Sequence, residues 1–269
     1  MAAPHVIIHA GFHKTGTTSL QDFMARNRRI LKPDCQYFGK VDFLAAGAHA
    51  RIYAQRPFRW RLWRFRRSLR RFLQTVDPSP QIVLSRETFA GGMPGHKTIG
   101  GRRIQNYQRS ARALLPVIAE EVRRRFGPDT CVTFFLTTRE KEAWIQSIHG
   151  HLLRSIKLSE DYATFRTAFT DLLSPSEEAA RLADYLPDPV VTAALEAARD
   201  RPEGPAAPLL DLLNIPPRKR ARMKPAPKSN IGPRADLRDT YLQLNRSNLR
   251  GARLKSAKEA ALKENRHGE

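Results

Sequence analysis

His5-Val-Ile-Ile-His-Ala-Gly-Phe-His-Lys-Thr-Gly-Thr-Thr-Ser-Leu20 is the stretch that decides the fold. Its β-branched opening, His5–His9, predicts a strand, and the glycines at 11 and 16 predict a tight loop directly after it. Apolar residues recurring every three or four positions over 17–31 predict a helix, ended by Pro33. Outward from this strand, loop and helix, Gln81–Ser85 predicts a second strand behind the breaker Asp77-Pro-Ser-Pro80. Residues 104–126 predict a helix that Pro116 kinks and Gly127-Pro128 stops. Residues 131–137 form the strongest strand pattern in the chain, and 141–156 a further helix. Periodicity leaves 190–195 open between strand and helix. Residues 202–234, rich in Pro and Lys/Arg, predict irregular surface chain, and 236–263 a terminal helix. Strands alternating with helices at this spacing predict the α/β class: a P-loop-like three-layer domain with a central parallel sheet flanked by helices. The expected organisation is one α/β domain over 1–235, with a basic aromatic insertion at 51–75, and a basic C-terminal helix or tail over 236–269.

Composition bounds the function. The chain has 269 residues, 41% of them hydrophobic, enough to bury a sizeable core and exclude wholesale disorder. No charged and then apolar leader precedes the first strand, so a secretory signal is not expected, and no run of about 18 apolar residues predicts a membrane span. Two cysteines, Cys35 and Cys131, make neither a disulfide scaffold nor a zinc-ligand set. The expected setting is reduced and cytoplasmic, with membrane association left open. The net charge of +21 is concentrated: residues 51–71 hold nine arginines and no acid, and residues from 214 onward hold fifteen Lys or Arg against five acids. Such stretches attract polyanions.

Ligands of open α/β sheets collect at the carboxyl ends of the strands, and the first such end carries the glycine loop. Loop amides entering a helix, helped by the helix dipole, suit an anion. The spacing Gly11-x4-Gly16 matches a Walker A loop, but the position after the second glycine, where that loop has its lysine, is Thr17. The nearby lysine is Lys14, inside the loop, which argues against a P-loop phosphotransferase. Lys14-Thr15-Gly16-Thr17-Thr18-Ser19 instead resembles the 5′-phosphosulfate loop of the sulfotransferases that use 3′-phosphoadenosine 5′-phosphosulfate (PAPS), typically Lys-x-Gly-Thr-Thr/Ser directly after the first strand.

A second match follows the strong strand, where that family pairs an arginine at the strand end with a serine about eight residues on, for the 3′-phosphate. Arg139 and Ser147 stand at those places here. The resemblance therefore implies a cofactor site of Gly11, His13, Lys14, Thr15, Gly16, Thr17, Thr18, Ser19, Arg139 and Ser147, with PAPS as co-substrate and no metal. Lys14 would neutralise the bridging oxygen of the leaving group. Family members take a base near the end of the second strand, which places Glu87 in that role, with His96 in the glycine-rich 91–101 loop as the alternative. His9 and His13 straddle the glycine loop, but a histidine at a strand end more often serves structure than as a metal ligand. In the tail, Pro227-Lys228-Ser229-Asn230 ahead of a helix is similar to bacterial members, with Lys228 or Arg234 able to fold over the nucleotide. The implied reaction is sulfuryl transfer to a hydroxyl or amine.

Arg56 to Arg71 alternates cations with large aromatics. On a helix Phe58, Leu62, Phe65, Leu69 and Phe72 share one face, and Arg64, Arg67 and Arg71 fall elsewhere. This face reads as a cover for the sheet, a dock for an anionic glycan acceptor, or an interfacial helix on anionic lipid through 56–73. No nucleic-acid motif surrounds it, so specific nucleic-acid binding is not expected. The competing class is a non-enzymatic basic protein that binds nucleic acid or membrane beside a degenerate nucleotide site. The acceptor stays open between glycan, lipid, small alcohol and protein tyrosine.

Overall fold

The computed structural model describes residues 3–169, 172–225 and 235–267. In chain order these form β1 (His5–His9), α1 (Thr17–Arg26), α2 (Arg28–Leu31), β2 (Gln36–Phe38), α3 (Leu44–Gln55), α4 (Arg59–Leu73), β3 (Gln81–Ser85), α5 (Gln108–Phe126) and β4 (Cys131–Thr138). There follow α6 (Lys141–Ser155), α7 (Tyr162–Thr167), α8 (Pro175–Ala183), β5 (Val190–Ala194), α9 (Ala207–Leu212), α10 (Pro217–Arg220), α11 (Ala235–Arg246) and α12 (Gly251–His267). Contacts gather the chain into two compact units: Met1–Glu140 with Leu173–Ser229, and Lys141–Leu172 with Asn230–Glu269. Among the described residues no helix is long and apolar enough to cross a membrane.

The first unit is α/β. Its five strands are all parallel, in the order β2-β3-β1-β4-β5. β1 lies at the centre, His5 in register with Gln81 on one side and with Cys131 on the other. Both faces of the inner strands are buried, which is why β1, β3 and β4 read as continuous apolar runs. Ile7, Val83 and Phe135 pack with Leu20, Phe23 and Met24 of α1 and with Leu209 and Leu210 of α9. Val6, Ile8, Ile82, Leu84, Phe134 and Leu136 alternate to the opposite face and are equally buried. Each such aliphatic or aromatic side chain contributes about 1.5–3 kcal/mol of burial. The helices α3, α4 and α5 pack on one another.

Several expected elements are corrected. The single helix over 17–31 breaks at Asn27, a buried residue whose amide donates to the Phe23 and Lys224 carbonyls and accepts from the Lys224 N–H. Residues 204–220 are not irregular: a 3-10 turn at Gly204–Ala206, α9 and α10 occupy them, each with a proline in its first turn. The helix expected from 104 begins at Gln108, and Pro116 lies inside it. Residues 190–195, left open by periodicity, hold the edge strand β5. In α4, Phe65, Leu69 and Leu73 are buried, while Phe58 caps the helix and stays 48% exposed.

α3 carries a glycine at an interior position, Gly47. A Cβ there would stand 2.3 Å from Nε of Arg86, which follows β3 and donates to the Lys40 carbonyl and to Thr88. Thr88 in turn donates to the Gly47 carbonyl. The buried guanidinium thus crosses the helix where the side chain is missing.

The second unit is helical. Trp144, Ile148, Leu152 and Leu153 of α6 are buried, and α6 packs against α7 and α11. The single terminal helix expected over 236–263 is α11 and α12, separated at 247–250. Lys258 of α12 donates to the carbonyls of Leu153, Arg154 and Ile156, capping the end of α6. Its ammonium is lowered to about 8 by burial and by the charge of Lys157.

Candidate functional site

The loop between β1 and α1 is built from backbone that only some residues tolerate. Gly11 and Gly16 have φ of 73° and 88°, and Lys14 takes φ of 67°, the left-handed region that costs a non-glycine residue about 1 kcal/mol or more. A Cβ at Gly11 would stand 2.9 Å from Cβ of Glu87, and one at Gly16 2.7 Å from Leu195. The glycines therefore permit both the curvature and the close approach of the loop to its neighbours. Gly16 caps α1, whose first helical bond runs from Leu20 N–H to the Gly16 carbonyl. The amides of Thr17 and Thr18 precede that bond and have no intrahelical acceptor. Thr17 is buried and Thr18 exposed, with Ser19 half-buried beside them.

The neighbouring strands fix this loop. Thr15, fully buried, donates its hydroxyl to the Phe12 carbonyl at 2.6 Å, so the Thr137 hydroxyl of β4 donates to Thr15 at 2.7 Å. Phe12 N–H reaches the Thr137 carbonyl. Thr15 is thus a brace of the loop from inside. Arg139, at the end of β4, donates from Nη1 to the Lys14 carbonyl at 3.2 Å. It makes no ion pair among the described residues, and burial lowers its pKa. The loop and the strand-end arginine named from the sequence are therefore brought into direct contact. Ser147 lies half-buried on α6, in the second unit. Lys228 and Arg234 lie outside the described residues.

Glu87 opens a 3-10 turn two residues beyond β3, against Gly11. Gln21 of α1 donates to its Oε2 at 3.1 Å. Burial pushes this carboxyl up, but the His13 ring, its own backbone amide, Gln21 and Arg86 together hold it below its ordinary value. It is a carboxylate at neutral pH. His13, in the loop, has its N–H and Nδ1 on the hydroxyl of the fully buried Tyr107. The hydroxyl accepts from the His13 amide and shares a second hydrogen bond with Nδ1. Burial lowers His13 to about 4, so the ring is neutral. Burial also lowers His9 to about 4; its Nδ1 shares a hydrogen bond with Ser85, and its buried Nε2 has no partner among the described residues. Burial lowers His96 in the 91–101 loop as well.

Tyr107 and Gln21 escaped the sequence reading. Tyr107 is 94 residues from His13 and held by Glu178, which accepts its backbone N–H. Gln21 carried a recoverable signal: it falls one helical turn after Thr17, facing the same strand ends. Among the described residues no cluster of His, Cys, Asp and Glu could hold a metal ion. No protein-family model matches the chain, and no curated protein matches it.

Proposed function

We propose that the chain is a PAPS-dependent sulfotransferase. The observation that carries this reading is the convergence, at the carboxyl ends of three adjacent parallel strands, of a lysine-bearing glycine loop, an arginine bonded to that loop and an ionised glutamate against its first glycine. The 5′-phosphosulfate is held by the amides of the loop and the Thr17 and Thr18 hydroxyls, and the 3′-phosphate by Arg139. Thr17 in place of a lysine after Gly16 speaks against phosphoryl transfer from a nucleoside triphosphate.

In the reaction, the acceptor oxygen or nitrogen bonds to sulfur as the bond from sulfur to the bridging oxygen breaks. The electron pair of that bond stays on the departing 3′-phosphoadenosine 5′-phosphate, where Lys14 offsets its charge. Glu87 takes the acceptor's proton. As in phosphoryl transfer, alignment and electrostatic stabilisation supply most of the acceleration.

Calorimetric titration with 3′-phosphoadenosine 5′-phosphate tests this, with AMP as the ligand lacking the 3′-phosphate. Binding should be tight for the former and weak for the latter. Arg139→Ala should lose about 10–100-fold in affinity, the worth of one or two charge-assisted hydrogen bonds. Equal affinity for the two nucleotides sinks the proposal.

A further inference from the structure

The outward face of α4 carries large aromatics and unpaired cations together. Its inward face, Phe65, Leu69 and Leu73, packs into the first unit. Its flank is tied to α5: Arg66 pairs with Glu120 and Glu121, and Arg70 with Glu121. The remaining arginines of this region, Arg56, Arg59, Arg61, Arg64, Arg67 and Arg71, form no ion pair among the described residues. Trp60 and Trp63 on the outward face are 47% and 55% exposed, and Phe58 just ahead of them 48%. The guanidiniums of Arg61 and Arg64 lie 4.1 and 4.9 Å from the Trp60 ring centre, and that of Arg67 5.3 Å from Trp63. Arg64, Arg67 and Arg71 line a shallow cavity of 320 Å³ with Trp63, His49 and Ser68. Ile99, 61% exposed, has its N–H on the carbonyl of Gln55, the last residue of α3.

We infer that this face docks on an anionic bilayer surface, with Trp60, Trp63 and Phe58 at the headgroup boundary and the arginines on lipid phosphates. Charge complementarity alone fits any polyanion. The apolar members decide between partners: a sulfated glycan or an RNA leaves Phe58 in water, whereas the bilayer interface takes it up together with the indoles. Indole rings flanked by cations suit that boundary, and arginine stems can lie along it with their heads in the phosphate layer. The inference is independent of the nucleotide chemistry proposed above.

Sedimentation of the full chain with vesicles tests it, using phosphatidylcholine alone or with about one third phosphatidylserine. The chain has three tryptophans, and Trp144 is fully buried, so a change in emission reports Trp60 and Trp63. The chain should pellet with the anionic vesicles and its emission shift to the blue. Trp60→Ala/Trp63→Ala leaves the charge unchanged and should lower partitioning about tenfold while abolishing the shift. Arg64→Gln/Arg67→Gln should lower it about fivefold per arginine. Circular dichroism checks that both variants, altered only at exposed positions, stay folded. Protein left in the supernatant overturns the inference, as does binding that the tryptophan variant leaves intact. A blue shift on heparin or RNA in place of vesicles also overturns it and assigns the face to a soluble polyanion.

Discussion

The turn after β1 and the helix α4 are both cationic regions of the first unit, built on opposite plans. The turn has few charges, and each is held: Lys14 on a left-handed backbone, Arg139 on the Lys14 carbonyl, Glu87 between Gln21 and Arg86. In α4 the charges are many and mostly unpaired, the pairs with Glu120 and Glu121 being confined to one flank. Charge density alone therefore identifies neither region. Burial makes single groups consequential in the turn, where a lost partner leaves an unsatisfied charge, while on α4 solvent screens each member and only the sum matters.

This contrast can be broken most directly at Glu87. Glu87→Gln keeps the hydrogen-bonding shape and removes the proton acceptor, so turnover with PAPS and an acceptor should fall about 10²–10⁴-fold with nucleotide affinity nearly unchanged. If affinity falls instead and turnover per bound nucleotide does not, the carboxylate holds the loop together and moves no proton.

Next in size is the response of stability to pH. His9 and His13 are both lowered to about 4 from an ordinary 6.5, so between those values the unfolded chain binds protons that the folded one refuses. Their contribution is full above pH 6.5 and is lost as pH falls toward 4. The loss is about 3 kcal/mol for His9 and less for His13, which keeps some exposure. Urea midpoints across this range should show it, and His9→Gln should flatten the curve. A profile identical in the variant would mean that the buried ring is not the group refusing protons.

The smallest effect sharpens the contrast within α4. Glu121→Gln removes the buried carboxylate that receives Arg70 and should lower the melting temperature by a few degrees. Arg67→Gln on the outward face should leave it unchanged. Equal shifts in the two variants would erase the division between a packed flank and a free face.

What the sequence disclosed follows the range of the interactions involved. β1, β3, β4 and the loop were legible because their causes are local: β-branched runs, and glycines where the backbone must turn left-handed. Glu87 and Arg139 were placed correctly at strand ends because parallel register carries strand position into space. The break at Asn27 was not legible, since its partner Lys224 lies 197 residues away. β2 has only three residues and no apolar run. In 204–220 the prolines read as breakers, yet Pro205, Pro208 and Pro217 sit in first turns, where a missing N–H is harmless. The Leu209-Leu210-Asp211-Leu212-Leu213 run behind Pro208 was the signal that composition masked.

Gly47 and Arg86 carry a consequence for the history of this chain. An interior helical glycine costs about 0.5–1 kcal/mol relative to alanine, so stability alone would favour its replacement. Here a Cβ would stand 2.3 Å from the guanidinium 39 positions later, which must leave its bonds to Lys40 and Thr88 to make room. The two should be inherited as a pair. In descendants and cousins of this sequence, a side chain at 47 should arrive only with a shorter residue at 86, giving a covariation that any adequate set of relatives would reveal.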